Sequence, residues 1–141
     1  MNLKTALKRT ASIIREEWKD APDVEGAVDL GDVIKMLREN YASLLESCAE
    51  EDHEVQAKEL GDTEGISPKD SDKVRSLKAD CIALDATVRC LQVRWEKEQR
   101  AEGMLQNRDG DLAVHGAELI KQLGVLSTNR RVRWMREQIN S

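Results

Sequence analysis

The sequence predicts a mostly α-helical protein, and two observations lead to that prediction. The 141 residues include three Trp, one Tyr and no Phe, whereas the core of a β-sandwich or barrel normally needs more large rings. Eight Gly and two Pro are also few for the many turns of an all-β fold. Apolar residues instead recur at intervals of three and four along most of the chain, which is the period of an amphipathic helix.

A long helix that begins at Ser67-Pro68 or at Ser71 and ends at Gly103 is the clearest single element. Its apolar stripe runs without interruption through Val74, Leu77, Cys81, Leu84, Val88, Leu91 and Trp95. A second apolar edge consists of Ile82, Ala86, Cys90 and Val93. Two stripes indicate two partners, so we expect one to pack on the preceding helix and the other on a second subunit. The alternative is a thick helix in the core of a monomeric bundle. The predicted oligomer interface comprises Leu77, Cys81, Ile82, Leu84, Val88, Leu91, Val93 and Trp95.

The segments before this helix divide into a basic helix and a helical hairpin. An amphipathic helix over residues 2–19 ends where Pro22 disfavours helix in the residue before it. After a linker over 20–28, a second helix is predicted from about Asp29 to about Leu60, and Gly61 begins a turn-rich break over 61–71. The hairpin of the second and third helices forms the predicted oligomerisation core, residues 22–102, and the basic helix occupies residues 1–21.

The last predicted unit, residues 103–141, contains a β-hairpin and short helices. Asp109-Gly110 is a dipeptide that favours a tight turn, and short runs with apolar residues flank it, so a small β-hairpin is predicted over 104–114. A plain loop is the alternative. A short helix from Gly116 to Leu123 would then end at Gly124. Ser127 would cap a final helix over about 128–139.

The charge of the chain is distributed in blocks. Residues 1–19 carry +3, residues 20–66 carry fourteen acids against three bases, a charge of −11, and residues 67–141 carry +3. Basic ends predict a contact with double-stranded DNA, with the first helix favoured over the last, although basic ends are also common in helical proteins. The acidic middle is expected to stay away from DNA and to face solvent or a basic partner. The predicted DNA contacts are Lys4, Lys8, Arg9, Arg15, Arg130, Arg131, Arg133 and Arg136.

No residue pattern points to catalysis, a cofactor or a metal. The three cysteines form no CxxC pair, and His53 and His115 lie far apart without a ligand set around them. None of the common nucleotide-binding, hydrolase or metalloprotease motifs occurs. We therefore expect a protein without enzyme activity, catalytic residues, cofactor or metal site. Since no apolar run approaches about 18–20 residues, and no leader opens the chain, we also expect a soluble cytoplasmic protein away from membranes.

Residues 77–133 resemble the small subunits of bacteriophage terminases. The matching stretches are the charged helix end over 98–103, the apolar and turn residues over 104–114, and the Leu-Gly-Val-Leu-Ser-Thr-Asn-Arg-Arg run over 123–131. The chain has His115-Gly116 where many members have Asn-Pro, and residues 1–62 show no clean helix-turn-helix. The resemblance implies a non-catalytic homo-oligomeric ring in the host bacterial cytoplasm. Such a ring binds viral DNA and regulates the large terminase subunit, which carries the ATPase and nuclease.

A second hypothesis assigns the chain to a different class of protein. A helical protein-interaction module, such as a phage assembly factor or an acidic DNA mimic that inhibits a host protein, would use the acidic block between Asp20 and Glu64 to meet a basic partner. A DNA-binding protein shifts duplex DNA with a steep salt dependence, whereas a DNA mimic does not bind DNA. A small helical enzyme or metal protein is a third class, for which the sequence offers no motif.

Overall fold

A computed structural model describes residues 1–26, 28–51, 57–100 and 111–140 of the chain. This part of the protein is helical, as predicted, and the only β-type pairing within it is an isolated bridge between Asn2 and Glu59. A short 3-10 turn precedes the second helix at Val24–Gly26. The helices are α1 (Leu3–Glu17), α2 (Leu30–Met36), α3 (Arg38–Ala49), α4 (Asp72–Arg100) and α5 (Asp111–Ile139).

The two long helices α4 and α5 pack against each other as an antiparallel pair. Lys78, early in α4, lies over the ring of Trp134, late in α5. Trp95, late in α4, packs beside Gly116, early in α5. Helix α1 packs against both α3 and α4, and α2 packs against α5. The helical hairpin of this protein is therefore α4 with α5, not the predicted pair of the second and third helices.

One hydrophobic core draws on all five helices. Its fully buried side chains include Leu7 from α1, Ile34 from α2, Leu45 from α3, Leu84 from α4 and Leu119 from α5. Burial of each such side chain contributes roughly 1.5–3 kcal/mol to folding. The three segments predicted as separate units therefore share a single core.

The predicted long helix is present, but its apolar stripes are covered from within the chain. The Ser71 hydroxyl caps α4 by accepting a hydrogen bond from the backbone N–H of Val74. Of the eight residues predicted to form an oligomer interface, Leu77, Cys81, Ile82, Leu84 and Leu91 are buried, and Val88 and Trp95 pack against the core. Val93 alone is largely exposed, at 54%. A second subunit is not needed to cover these stripes, because α1 and α5 pack against α4.

The C-terminal prediction is wrong in two respects. Residues 111–114, predicted as the second strand of a β-hairpin, form the start of α5, while residues 104–110 lie outside the described residues. The two short helices predicted after the hairpin are one continuous helix, in which Gly124 is an interior residue. Helical periodicity decides the outcome, because four leucines on one side of α5 are buried along its length: Leu112, Leu119, Leu123 and Leu126.

The helix predicted from about Asp29 to about Leu60 is two shorter helices within residues 29–51, and residues 52–56 lie outside the described part of the chain. Its start is confirmed, because the Asp29 carboxylate accepts a hydrogen bond from the backbone N–H of Asp32 and caps α2. The chain leaves helical geometry at Leu37 and resumes in α3. The guanidinium of Arg38 donates to the carbonyl of Trp18 at 2.6 Å and thereby ties the start of α3 to the end of α1. Helix α3 ends at Ala49.

Candidate functional site: a groove rimmed by cations

The basic face of α1 lies against the acidic face of α3. Lys4 and Lys8 both pair with Glu50, at 3.3 Å and 3.1 Å, and Arg15 pairs with Glu46 at 2.7 Å and with Glu39 at 3.1 Å. Hydrogen bonding to Glu46 raises the pKa of Arg15, and the same contact lowers the pKa of Glu46. These cations, predicted to contact DNA, neutralise part of the acidic middle of their own chain.

Two more of the predicted DNA contacts share one carboxylate. Arg9 pairs with one oxygen of Asp80 at 2.7 Å, and Arg130 pairs with the other at 3.1 Å. Arg130 also pairs with Glu17 and is only 7% exposed. A guanidinium that is buried among acidic side chains is not available to a phosphate backbone, so Arg130 serves the packing of α1, α4 and α5.

A third set of ion pairs fixes the segment before α4, and we call it the clasp: Glu64, Asp70, Lys78, Arg131 and Trp134. Arg131 pairs with Glu64, which also accepts a hydrogen bond from the indole N–H of Trp134 at 3.1 Å. Lys78, 3% exposed, pairs with Asp70 at 2.9 Å. The hydrogen bond that Lys78 donates to Asp70 lowers the pKa of the Asp70 carboxyl group. The clasp therefore occupies Arg131, one of the predicted DNA contacts, together with Trp134.

Arg133 and Arg136 remain available. Both are exposed on α5, and neither forms an ion pair with any residue that the structure describes. The sequence favoured α1 over the last helix for DNA contact, yet all four predicted contacts on α1 are paired inside the chain. The net charge of each segment gives no sign of this pairing, because the basic and acidic segments meet only in the folded chain.

Another group of cations surrounds an open groove of about 610 Å³ on the other side of α1. The groove lies where the start of α1 and residues 58–60 meet α4. Its floor is apolar and its rim is basic, with Glu51 as the single acid among the described residues that line it. The floor residues are Leu3, Leu60, Ala86, Cys90 and Val93, and the rim cations are Lys58, Arg89, Arg94 and Lys97.

The rim of the groove carries more positive charge than the described residues neutralise. Arg94 is paired with Glu51. Lys58, Arg89 and Lys97 form no ion pair within the described ranges, and all three are exposed. These cations come from two separate segments of the chain, so no local sequence pattern marks them. Part of the floor was visible in the sequence, because Ala86, Cys90 and Val93 belong to the second apolar edge of the long helix.

The groove can bind a molecule that combines an apolar surface with negative charge. Apolar contact with the floor supplies affinity, and the uncompensated cations select an anionic partner. Cys90 lines the groove and can be labelled by thiol reagents there, since it is only partly buried while Cys48 and Cys81 are buried. Desolvation raises the pKa of Cys48 and raises that of Cys81 to about 12, so both thiols are unreactive near neutral pH.

The described residues contain no trio of His, Cys, Asp or Glu side chains placed to hold a metal ion, and none of their helices is long and apolar enough to cross a membrane. No family model, no curated protein and no solved structure matches the chain. The resemblance of residues 77–133 to small terminase subunits therefore rests on the sequence pattern, and its hairpin portion is contradicted over residues 111–114. The groove is the candidate site that remains.

Proposed function

We propose that the protein is a helical protein-interaction module that binds an acidic, amphipathic segment of a partner in the groove. One observation supports this above all others. The cations at the ends of the chain are mostly paired internally, whereas Lys58, Arg89 and Lys97 stand around an apolar floor without a carboxylate of their own among the described residues. An unsatisfied basic rim over an apolar floor favours a ligand of the opposite charge.

The spacing of the rim cations suits an extended or helical peptide. Arg89 and Lys97 are eight residues apart on α4, which is about 12 Å along the helix axis. Val93 lies midway between them and is more than half exposed. A partner helix that carries carboxylates about two turns apart, with an apolar residue between them, would meet both cations and cover Val93.

The test is a fluorescence-anisotropy titration with a labelled peptide of Leu and Glu at helical spacing. Saturable binding is expected, and a peptide with Lys in place of Glu should not bind. The variant Arg89→Glu/Lys97→Glu should weaken binding by about tenfold or more, since each position changes from attraction to repulsion. Lys121→Glu is the matched control, because Lys121 is an exposed cation of α5 outside the groove. Equal affinity of the parent and both variants would contradict the proposal.

A second measurement reads occupancy of the groove directly. Alkylation of the native protein should modify Cys90 and leave Cys48 and Cys81 largely unmodified, because these two thiols are buried. Saturating Leu/Glu peptide should slow the modification of Cys90 several-fold, while the Leu/Lys peptide leaves the rate unchanged. Peptide binding without protection of Cys90 would place the peptide elsewhere on the protein.

A second candidate function is the DNA-packaging recognition subunit suggested by the terminase resemblance, a homo-oligomer that acts with a large terminase subunit. Arg133 and Arg136 favour it, because they are exposed cations without an acidic partner in the described part of the chain. If they contact phosphates, Arg133→Ala/Arg136→Ala should reduce the salt slope of duplex DNA binding by about two units, since each contact contributes about 0.9. An unchanged slope, or no binding at low salt, would exclude this use of α5.

A further inference from the structure

The segment that joins α1 to α2 is acidic, and it exposes large apolar side chains. Val28 is 86% exposed and Leu30 is 53% exposed. Such exposure of neighbouring aliphatic residues on a small protein is a mark of an interaction surface. We call the described residues between 20 and 32, namely 20–26 and 28–32, the acidic segment. Its carboxylates form no ion pair within the described chain, and they belong to Asp20, Asp23, Glu25, Asp29 and Asp32.

The acidic segment and the groove lie on different parts of the molecule. Helix α2 packs on α5, and Gly31 directly faces the side chain of Gln122. The groove lies between α1, residues 58–60 and α4, and none of its lining residues belongs to the acidic segment. The segment therefore does not fill the groove of its own chain.

We infer that the acidic segment of one copy docks in the groove of a second copy, an inference that rests on the proposed function and names its partner. Val28 and Leu30 would cover the apolar floor around Val93, and the carboxylates would meet Lys58, Arg89 and Lys97. The other pairings are electrostatically unfavourable: two grooves would oppose cation to cation, and two acidic segments would oppose carboxylate to carboxylate. The complementary contact is head-to-tail, so the copies either close into a ring or form an open assembly with one groove and one acidic segment free at its ends.

Light scattering behind a sizing column provides the first test. The mean mass of the protein should increase with concentration at low salt. The association should weaken about tenfold or more at high salt, because exposed charges are screened within about 3 Å at 1 M. A mass that stays at one chain across the accessible concentrations would overturn the inference.

Two variants separate the two halves of the contact. Arg89→Glu/Lys97→Glu alters the groove. Asp20→Lys/Glu25→Lys alters the acidic segment and spares its capping carboxylates, since Asp23 caps Gly26 and Asp29 caps α2. Each variant alone should remain a single chain. Lys121→Glu is the control that should associate like the parent, and circular dichroism should show equal helix content in all proteins.

The decisive measurement is an equimolar mixture of the two variants. The groove variant keeps an intact acidic segment and the segment variant keeps an intact groove, so the native contact can form between them. The reciprocal contact sets the introduced glutamates of one variant against the introduced lysines of the other and is also attractive. The mixture should therefore associate, although neither variant does so alone. A mixture that stays monomeric would overturn the head-to-tail contact, as would either variant associating like the parent.

The outcomes distinguish this inference from the proposed function. If the parent protein remains a single chain while the Leu/Glu peptide still binds and still protects Cys90, the groove binds acidic segments but not that of a second copy. If the peptide also fails to bind, the proposed function falls together with the inference. If the parent associates and the peptide competes for the contact, both stand.

Discussion

Asp80 shows how single residues hold this protein together. Its two carboxylate oxygens accept from Arg9 on α1 and from Arg130 on α5, residues 121 positions apart in the chain. Arg130 is nearly buried, so loss of Asp80 would leave its charge with Glu17 as its remaining partner. Removal of one member of a buried ion pair costs more than an exposed pair contributes, because the other charge remains desolvated. Asp80 therefore belongs to the architecture, although it is a charged residue.

The pair of Asp70 and Lys78 makes stability depend on pH. Hydrogen bonding from Lys78 lowers the pKa of Asp70 below its ordinary value of 3.8, so folding favours the ionised carboxylate. This stabilisation is fully present above pH 3.8 and is lost as the pH falls through the lower pKa of the folded state. Urea unfolding from neutral pH down to about pH 2 should show that Asp70→Asn is less stable than the parent at neutral pH.

In that titration, the difference between the parent and Asp70→Asn should shrink in acid, because the parent carboxyl group becomes protonated and resembles the amide. Asp72→Asn is the control, since Asp72 is almost fully exposed and its pair with Arg75 lies on the surface. A difference between the parent and Asp70→Asn that stays constant with pH would show that the clasp stabilises the fold without this ionisation.

At the scale of a helix, α5 contains two glycines, Gly116 and Gly124, that were predicted to mark helix ends. Both lie inside α5, and their surroundings differ. Gly116 is buried under the indole of Trp95, and a Cβ atom there would lie 2.0 Å from the ring. Gly124 has no atom within 4 Å of the corresponding position. The close packing of α4 on α5 therefore requires glycine at residue 116 and not at residue 124.

The two glycines form a matched pair for mutation. Gly116→Ala should destabilise the protein by about 1–3 kcal/mol, because the rigid indole of Trp95 must move. Gly124→Ala should stabilise it by up to about 1 kcal/mol, since alanine is the better helix former and has room. Denaturant unfolding measures both. Equal effects at the two positions would mean that α5 is not packed on Trp95 as described.

At the scale of the whole molecule, the core and not a subunit interface accounts for the heptad pattern of α4. Leu84 and Leu91 are fully buried within one chain. Leu84→Ala should cost about 2–5 kcal/mol of unfolding free energy, and it should leave the concentration dependence of the mass unchanged where the protein stays folded. Gln92→Ala is the control on the exposed side of α4 outside the groove, where stability should change by about 0.5 kcal/mol or less. If Leu84→Ala changed the concentration dependence of the mass, Leu84 would belong to a subunit interface after all.

The groove and the acidic segment also belong to this largest scale, because neither is complete in any single helix. The groove combines α1, residues 58–60 and α4, and the acidic segment is available because α2 turns its other side to α5. The net charge of −5 hides both.

The sequence by itself determined the helical class, the long helix α4 and the approximate start of α2. These features depend on periodicity and on hydrogen bonds between residues a few positions apart, which are visible in a linear chain. The sequence also marked Ala86, Cys90 and Val93 as an apolar edge, and thus indicated part of the groove floor. It did not indicate that Lys58 would join Arg89 and Lys97, because residues 58 and 89 meet only through the packing of the helices.

The tertiary structure alone decided which charged side chains form ion pairs within the chain and which apolar stripes are covered by other helices. Local turn preferences at Asp109-Gly110 and Gly124 suggested a hairpin and a break, whereas the burial of one continuous line of leucines against α4 favours a single helix α5. Likewise, Lys4, Arg15 and Arg130 look alike to a charge count, yet each has a carboxylate supplied by a distant segment. Coulombic and apolar contacts act through space, so their partners are set by the fold and not by the order of the residues.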